Sequence, residues 1–334
     1  MAGTVVITGA NGSLALGLID ALLARYPQHT IIAALRNPSP DKDANTAKLV
    51  QIISKYQGGK VILEPLDLGQ LSTVRTFARK LASQVRSQEI PRISSVICNA
   101  ATWSLEAGQK FTADGFEATF QVSHLAHFLL VNLLLDSMDL DHGRVVMLGS
   151  ITHYPEKPNP ISSLKAGFPK NFEELVKPEL DPVSLIHDRG FQRYATAKLA
   201  NVTFAMHMNE VLGKHLKYSN ITVTAMDPGG LPASRAQNEQ KRSMKRIMNV
   251  FNALMPMLKF FTTTFRTTED AGRDLAIVSV DPDFHGKRGY FVGLRESPPA
   301  AVAHDVETQQ RLWRACWNWS GMGEQDTCLN EFIF

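Results

Sequence analysis

Cysteine is scarce in this sequence. There are three, Cys98, Cys316 and Cys328, an odd number without the paired spacing of a metal knuckle. That argues against a disulfide framework and leads to the expectation of a reducing, cytoplasmic compartment. Excess charge is also lacking: 35 Lys and Arg against 32 Asp and Glu leave a formal net charge of +3. Nucleic acid is therefore not expected as a partner. The basic pairs Lys241-Arg242 and Lys245-Arg246 fall in one segment. No uninterrupted apolar run of about 18 residues occurs, so no membrane span is expected. No leader pattern precedes the first apolar run, which starts at Thr4. Internal repeats are absent too.

What is present is an alternation. Short apolar runs at TVVITG (4–9), TIIAAL (30–35), VILEPL (61–66), ISSVICN (93–99), RVVMLGS (144–150), NITVTAM (220–226) and GYFVG (289–293) read as strands. Helical patterns separate them: Ser13 to Arg25, 41–56, Gln70 to Ser87, 113–138, and the stretch carrying Tyr194. Continuously apolar strands alternating with helices predict a parallel sheet covered on both faces. The expected fold is a Rossmann-type, doubly wound α/β domain with a mostly seven-stranded parallel sheet. One domain spans residues 1–334, with a core at 4–229. Two stretches break the rhythm, an insertion at 151–190 and a Met- and Phe-rich segment at 230–266, and residues 267–334 add C-terminal helices and the last strand. Both irregular stretches follow strand ends, where such sheets bind ligands.

The first strand runs into Thr8-Gly9-Ala10-Asn11-Gly12-Ser13-Leu14. A strand, a glycine turn and a helix make a phosphate cradle, because the backbone can approach a pyrophosphate and the helix N-terminus offers N–H groups. Gly9, Asn11, Gly12, Ser13 and Leu14 are the candidate cradle. The second strand ends in Leu35-Arg36-Asn37, with no acid for a ribose diol. Arg36, with Asn37 beside it, favours NADP(H) over NAD(H). Asp67, ahead of Leu68, suits either an adenine contact or a helix cap.

Tyr194 and Lys198 stand four apart, on one face of a helix. Alone, the pair reads as an ordinary helix surface. The order of motifs changes that: Thr8-Gly9-Ala10-Asn11-Gly12, Asp67-Leu68, Asn99-Ala100-Ala101, Ser150, Tyr194-Ala195-Thr196-Ala197-Lys198, then Asp227-Pro228-Gly229. Six motifs in this order resemble the short-chain dehydrogenase/reductase family over about residues 4–320. FQVSHLAHFLL (120–130) and RLWRACWNWSGMG (311–323) resemble its retinol-dehydrogenase and fungal secondary-metabolite reductase branches. The resemblance implies that Tyr194 is the acid or base, that Lys198 lowers its pKa and holds the nicotinamide ribose, and that Ser150 bonds the substrate carbonyl. It further implies that Asn99, Ala100 and Ala101 lie along the cofactor and that Pro228, Gly229 and Gly230 back the nicotinamide. Family members often pair through the helices here at 112–138 and 191–216, so a homodimer is allowed.

The sequence departs from the family in places. Ser13 and Ala15 replace two loop glycines. Ser123 stands where the family has an asparagine that bends its helix and supports a proton relay. Ser234, beside Ala233, is the candidate replacement for a threonine that bonds the carboxamide. His124, His127 and His153 lack a third close ligand, so no metal is expected. The apolar segment IMNVFNALMPMLKFF (247–261) suits a lid over a bulky apolar small molecule, and its lysines also allow a peripheral membrane contact. The expectation is therefore an NADP(H)-dependent interconversion of a ketone and a secondary alcohol on a polyketide-, terpenoid- or steroid-like substrate. Ser123 keeps open a non-redox alternative on the same scaffold, an isomerase, cyclase, dehydratase or cofactor-gated binding protein.

Overall fold

The computed structural model describes residues 3–157, 162–235, 240, 242–258 and 264–329. The apolar runs form strands β1 (Thr4–Thr8), β2 (Thr30–Leu35), β3 (Lys60–Pro65), β4 (Ile93–Cys98), β5 (Arg144–Leu148), β6 (Thr222–Asp227) and β7 (Gly289–Val292). These seven are parallel, as expected, and a two-residue antiparallel strand, β8 (Arg295–Glu296), is added at the edge. The order β3-β2-β1-β4-β5-β6-β7-β8 reverses between β1 and β4. In sheets of this kind ligands bind at that switch point, beyond the carboxyl ends of the strands.

Alternate strand residues feed two cores. Val6, Val96, Val145 and Val223 face one layer with Phe77, Phe128 and Phe204. Val5, Ile7, Ile31 and Val146 face the other with Leu18, Leu22 and Leu275. Each such side chain stabilises by about 1.5–3 kcal/mol on burial. The first layer holds α3 (Leu71–Arg86), α5 (Ala126–Leu134), α6 (Ile186–Lys214) and α9 (Val306–Trp319), and the second holds α1 (Ser13–Arg25) and α8 (Thr268–Val280). Backbones of α1 and α8 touch: a Cβ on Gly17 would lie 2.4 Å from the Thr268 carbonyl. Only glycine permits that approach.

Several expected helices have shifted ends. The pattern at 41–56 splits into a turn at Pro40–Lys42 and α2 (Ala44–Ile53), because the Asp43 carboxylate accepts from the Asn45 and Thr46 N–H groups and starts the helix there. The pattern at 113–138 begins at Ala118, after an antiparallel bridge between Phe111 and Glu117. It then runs as α4 (Ala118–Phe120), a π-turn at Gln121–Leu125, and α5. Ala118–Ser137 is long and apolar enough to cross a membrane, but it is largely buried inside the core. The segment 230–266, expected to hold the substrate lid, contains α7 (Arg242–Leu258), and its residues 236–239, 241 and 259–263 lie outside the described ones.

The last helix closes the molecule. Trp313 of α9 sits 5.0 Å from Phe128 of α5 and 6.0 Å from Phe204 of α6, ring to ring, and Trp319 lies edge-on to Phe120 at 6.0 Å. Every residue from Ala195 to Met206 is buried, and so are all of α5 except Leu133. The middles of the two helices expected to offer a pairing face are thus buried.

Candidate active site

Three elements converge at the switch point. Strand β5 ends in Leu148, and Ser150 follows as the cap of a short turn, Ile151–His153, its Oγ accepting from the Thr152 N–H at 3.3 Å. Strand β6 ends in Asp227. Helix α6 crosses the same end and returns Tyr194 and Lys198. Tyr194 shares a side-chain hydrogen bond with Ser150. Lys198 Nζ lies 5.6 Å from the centre of the Tyr194 ring and donates to the Leu148 carbonyl at 2.9 Å. That carbonyl also accepts from Asn201 Nδ2 at 3.0 Å, and Asn201 Oδ1 accepts from His124 Nδ1 at 2.9 Å. A buried chain of polar groups therefore aims the ammonium. The N-terminal turns of α6 are anchored by Arg193, whose Nη1 lies 2.8 Å from Asp181 and whose Nε lies 3.4 Å from Glu117.

Burial pushes the Tyr194 phenol above its ordinary value, and the Asp227 carboxylate adds to the rise. The Ser150 hydrogen bond opposes them. Lys198, expected to pull the tyrosine down, is itself lowered to about 8 by burial, with Asp227 and Cys98 pushing the other way. The pair therefore reads as a neutral phenol beside a lysine that is mostly charged at neutral pH, an acid in waiting.

Ser123 sits in the π-turn. Its hydroxyl accepts from the Thr102 N–H at 3.3 Å and reaches the Thr102 carbonyl at 3.4 Å. The Ala126 N–H returns to the Gln121 carbonyl, so the helix widens into a π-turn here with serine in place of asparagine. The Ser123 carbonyl accepts from His127 Nδ1 at 3.3 Å, while His127 Nε2 meets the Thr8 hydroxyl at 2.9 Å. His124, His127 and His153 all bond to protein partners.

The glycine loop fits a dinucleotide phosphate. Gly9 has φ +61°, and a Cβ there would stand 3.0 Å from Ala100 Cα. A Cβ on Gly12 would stand 3.0 Å from the Gly9 carbonyl. Gly12 caps α1 without a side-chain bond, and the first turn, which includes Ser13 and buried Leu14, carries no acid. Its N–H groups suit an anion. Asn99 staples the loop, donating to the Thr8 and Gly9 carbonyls at 2.9 and 3.1 Å, and Ala100 N–H donates to the Thr8 hydroxyl at 3.1 Å. Asn11 donates to the Thr46 hydroxyl at 2.9 Å, and Asn37 accepts from the Ser39 N–H at 3.0 Å. Arg36 and Ala101 are exposed, and among the described residues no carboxylate pairs with Arg36. Asp67 forms a turn to the Gly69 N–H at 2.9 Å ahead of buried Leu68. The α3 cap role considered for it falls to Asp114, which accepts from the Leu71 N–H at 2.8 Å.

Beyond β6, Gly229 takes φ +84° and Pro228 precedes it. Gly230 gives both backbone groups to its neighbours, its N–H to the Thr264 carbonyl at 2.8 Å and its carbonyl to the Arg266 N–H at 2.9 Å. The Ser234 N–H donates to the Leu231 carbonyl at 3.0 Å. Arg235 then crosses the cradle, its N–H donating to Ser13 Oγ at 3.0 Å and its guanidinium reaching Asp43 at 3.2 Å.

Known proteins resemble this chain over nearly its whole length. The short chain dehydrogenase family model matches residues 3–162, and a second, the AcuH dehydrogenase domain, matches residues 235–329. Short-chain dehydrogenase iccH of Talaromyces variabilis is 30% identical, covering 99% of this chain and 99% of that protein. This chain belongs to the short-chain dehydrogenase family. Retinol dehydrogenase 13 of Mus musculus is 29% identical over 93% of this chain and 81% of its own length. Among solved structures, angucycline C-6 ketoreductase LanV with bound NADP has a TM-score of 0.60 at 16% identity, covering 87% of this chain and 95% of that one. As a short-chain dehydrogenase the chain is an oxidoreductase that works with a nicotinamide cofactor.

Five residues of this dehydrogenase's site escaped the sequence reading. Trp103 lies edge-on to Tyr194 with ring centres 4.7 Å apart, and Phe191 lies 6.2 Å from the same ring. Asp227 was visible beside Pro228-Gly229 but carried no role. Asn201 follows Lys198 by three, the helical spacing that could have flagged it. Arg235 gave no signal.

Proposed function

We propose that the protein is an NADP(H)-dependent reductase or dehydrogenase that interconverts a ketone and a secondary alcohol on a bulky, mostly apolar substrate. The observation that carries this is the meeting of Tyr194, Ser150 and Lys198 beside the glycine cradle. The bound nicotinamide supplies or accepts the hydride. The protein's part is binding and proton handling. Ser150 and the Tyr194 hydroxyl point to one oxygen, Ser150 donating a hydrogen bond and Tyr194 delivering the proton. Lys198 holds positive charge beneath the phenol, which favours the anion left behind. A phenol raised by burial is a proton donor at neutral pH, which favours the reducing direction.

Arg36 at the end of β2 supports the 2′-phosphate, as does the bound NADP of the LanV structure. Trp103 and Phe191 supply an apolar wall beside Tyr194. Exposed Ile247, Val250 and Leu254 on α7 supply a row suited to cover an apolar ligand. Arg242 and Arg246 on the same helix make an anionic membrane surface the competing occupant of that row, which co-sedimentation with anionic vesicles tests. The three free cysteines support a cytoplasmic setting.

Purified protein with NADPH and a panel of polycyclic and long-chain ketones is expected to consume the reduced nicotinamide absorbance. Tyr194→Phe should lower kcat by about 10²- to 10⁴-fold, the usual range for removing a general acid. Full activity in that variant would refute the assignment. Arg36→Asp should weaken NADPH binding relative to NADH, and an unchanged preference would remove Arg36 from the cofactor site. The non-redox reading rests on Ser123, whose hydroxyl is engaged by Thr102. It gains only if NADPH binds, no ketone is reduced, and Ser123→Asn restores turnover.

A further inference from the structure

His153 follows Ser150 by three residues and is fully buried. Its Nδ1 lies 2.7 Å from the Ser150 carbonyl oxygen, and its Nε2 lies 3.1 Å from the Ala300 backbone nitrogen. A carbonyl only accepts and a backbone N–H only donates. The ring must therefore carry its proton on Nδ1 and a lone pair on Nε2. Burial agrees, holding the imidazole down to about 4 and so neutral. The groups around it are Glu156 and Lys157 on its own segment, Tyr154 with its ring 3.9 Å away, and Tyr290 of β7 at 4.7 Å with Asp227 behind it.

The two partners come from distant parts of the chain. Ser150 lies in the region matched as a short chain dehydrogenase, and Ala300 lies in the region matched as a second family domain. Tyr154 repeats the link, its hydroxyl donating to the Pro298 carbonyl at 2.5 Å. Ser150 needs such a hold. It caps a single turn, and its own hydroxyl is engaged within that turn only at 3.3 Å. Its carbonyl, by contrast, receives both the His153 backbone N–H at 3.0 Å and the ring Nδ1–H.

We propose that His153 is a positioning residue: it ties the Ser150 backbone to Ala300, so the C-terminal segment, touching no reacting atom, sets the angle of the serine hydroxyl. The proposal rests on the reading of Ser150 given above. It makes the turn at Ser150 a joint between two parts of the chain rather than a free loop.

Two measurements on the full chain test it. With 15N-histidine labelling, the His153 signal, assigned by its loss in His153→Gln, should show the neutral Nδ1–H tautomer unchanged from pH 7.5 to 5.5. An Nε2–H tautomer, or titration near the ordinary value, would overturn the clamp. In kinetics, His153→Leu removes both bonds and should lower kcat by about 10- to 100-fold, the scale of a misplaced catalytic group. NADPH affinity should stay within about twofold. His153→Gln, whose amide both donates and accepts, should recover most of the loss. Ala300→Pro deletes only the N–H, at a φ of −56° that proline adopts, and should fall in the same direction as His153→Leu. A folded His153→Leu, or a folded Ala300→Pro if the leucine variant does not fold, with kcat within about threefold of wild type overturns the positioning role. If the wild type reduces no ketone, the reading of Ser150 fails instead, and the nitrogen spectrum still decides whether the clamp exists.

Discussion

Lys198 illustrates what a single residue carries here. Its ammonium is buried, lowered to about 8, and aimed by a carbonyl that Asn201 shares. Its charge is present below that value and disappears above it. The kcat for ketone reduction should therefore decline as pH rises through about 8. Lys198→Arg, which stays charged, should move that limb upward even if its rate is lower. A limb that does not move would assign the titration to another group. Tyr194, Lys198 and Ser150 were singled out by the order of motifs and the family resemblance it carries, since the spacing of Tyr194 and Lys198 alone reads as an ordinary helix surface. Asp227 and His153 were not legible. The partners that give them meaning, Tyr290 and Ala300, lie 63 and 147 positions away, and no local pattern announces such contacts.

At the level of the element, the helical run from Ala118 to Leu134, with its π-turn, holds two buried histidines in its most apolar stretch. Burial lowers His124 to about 4 and His127 to about 3, and His153 behaves like His124. The folded state keeps these rings neutral, while the unfolded chain protonates them near 6.5. Stability is thus fully present above about 6.5 and is lost as pH falls toward 4, at about 1.4 kcal/mol per pH unit for each proton taken up. Urea unfolding at pH 7.5, 6.0 and 5.0 should show this slope, and His127→Gln should flatten it by about one proton. An unchanged stability at pH 5.0 would mean these rings are not neutral in the fold. Strand positions were readable because apolar, β-branched runs have few alternatives between turns. Helix starts were less so. The shift from 113 to Ala118 is caused by the Phe111–Glu117 bridge, a pairing whose register the helical periodicity does not encode.

At the scale of the molecule, α9 decides what surface remains. Trp313 packs on Phe128 and Phe204, in the middles of the helices that the family resemblance offered for pairing, and Leu312, Trp313, Cys316 and Trp317 are each at most 7% exposed. Sedimentation should therefore find a single species near 37.0 kDa, and a dimer would show that another face pairs. Trp313→Ala should cost about 3–5 kcal/mol as a cavity between α5 and α6, lowering the melting temperature while leaving NADPH affinity little changed. The sequence shows that 311–323 is aromatic and helical, but its docking place is a property of the assembled sheet. The arrangement also has a consequence for synthesis. The cofactor half of the molecule leaves the ribosome first, yet the faces of α5 and α6 stay bare until residues 306–319 emerge. During that interval a Trp-sized apolar surface is open to other nascent chains, so expression yield should depend more on chaperone supply and elongation speed than the folded protein's stability suggests.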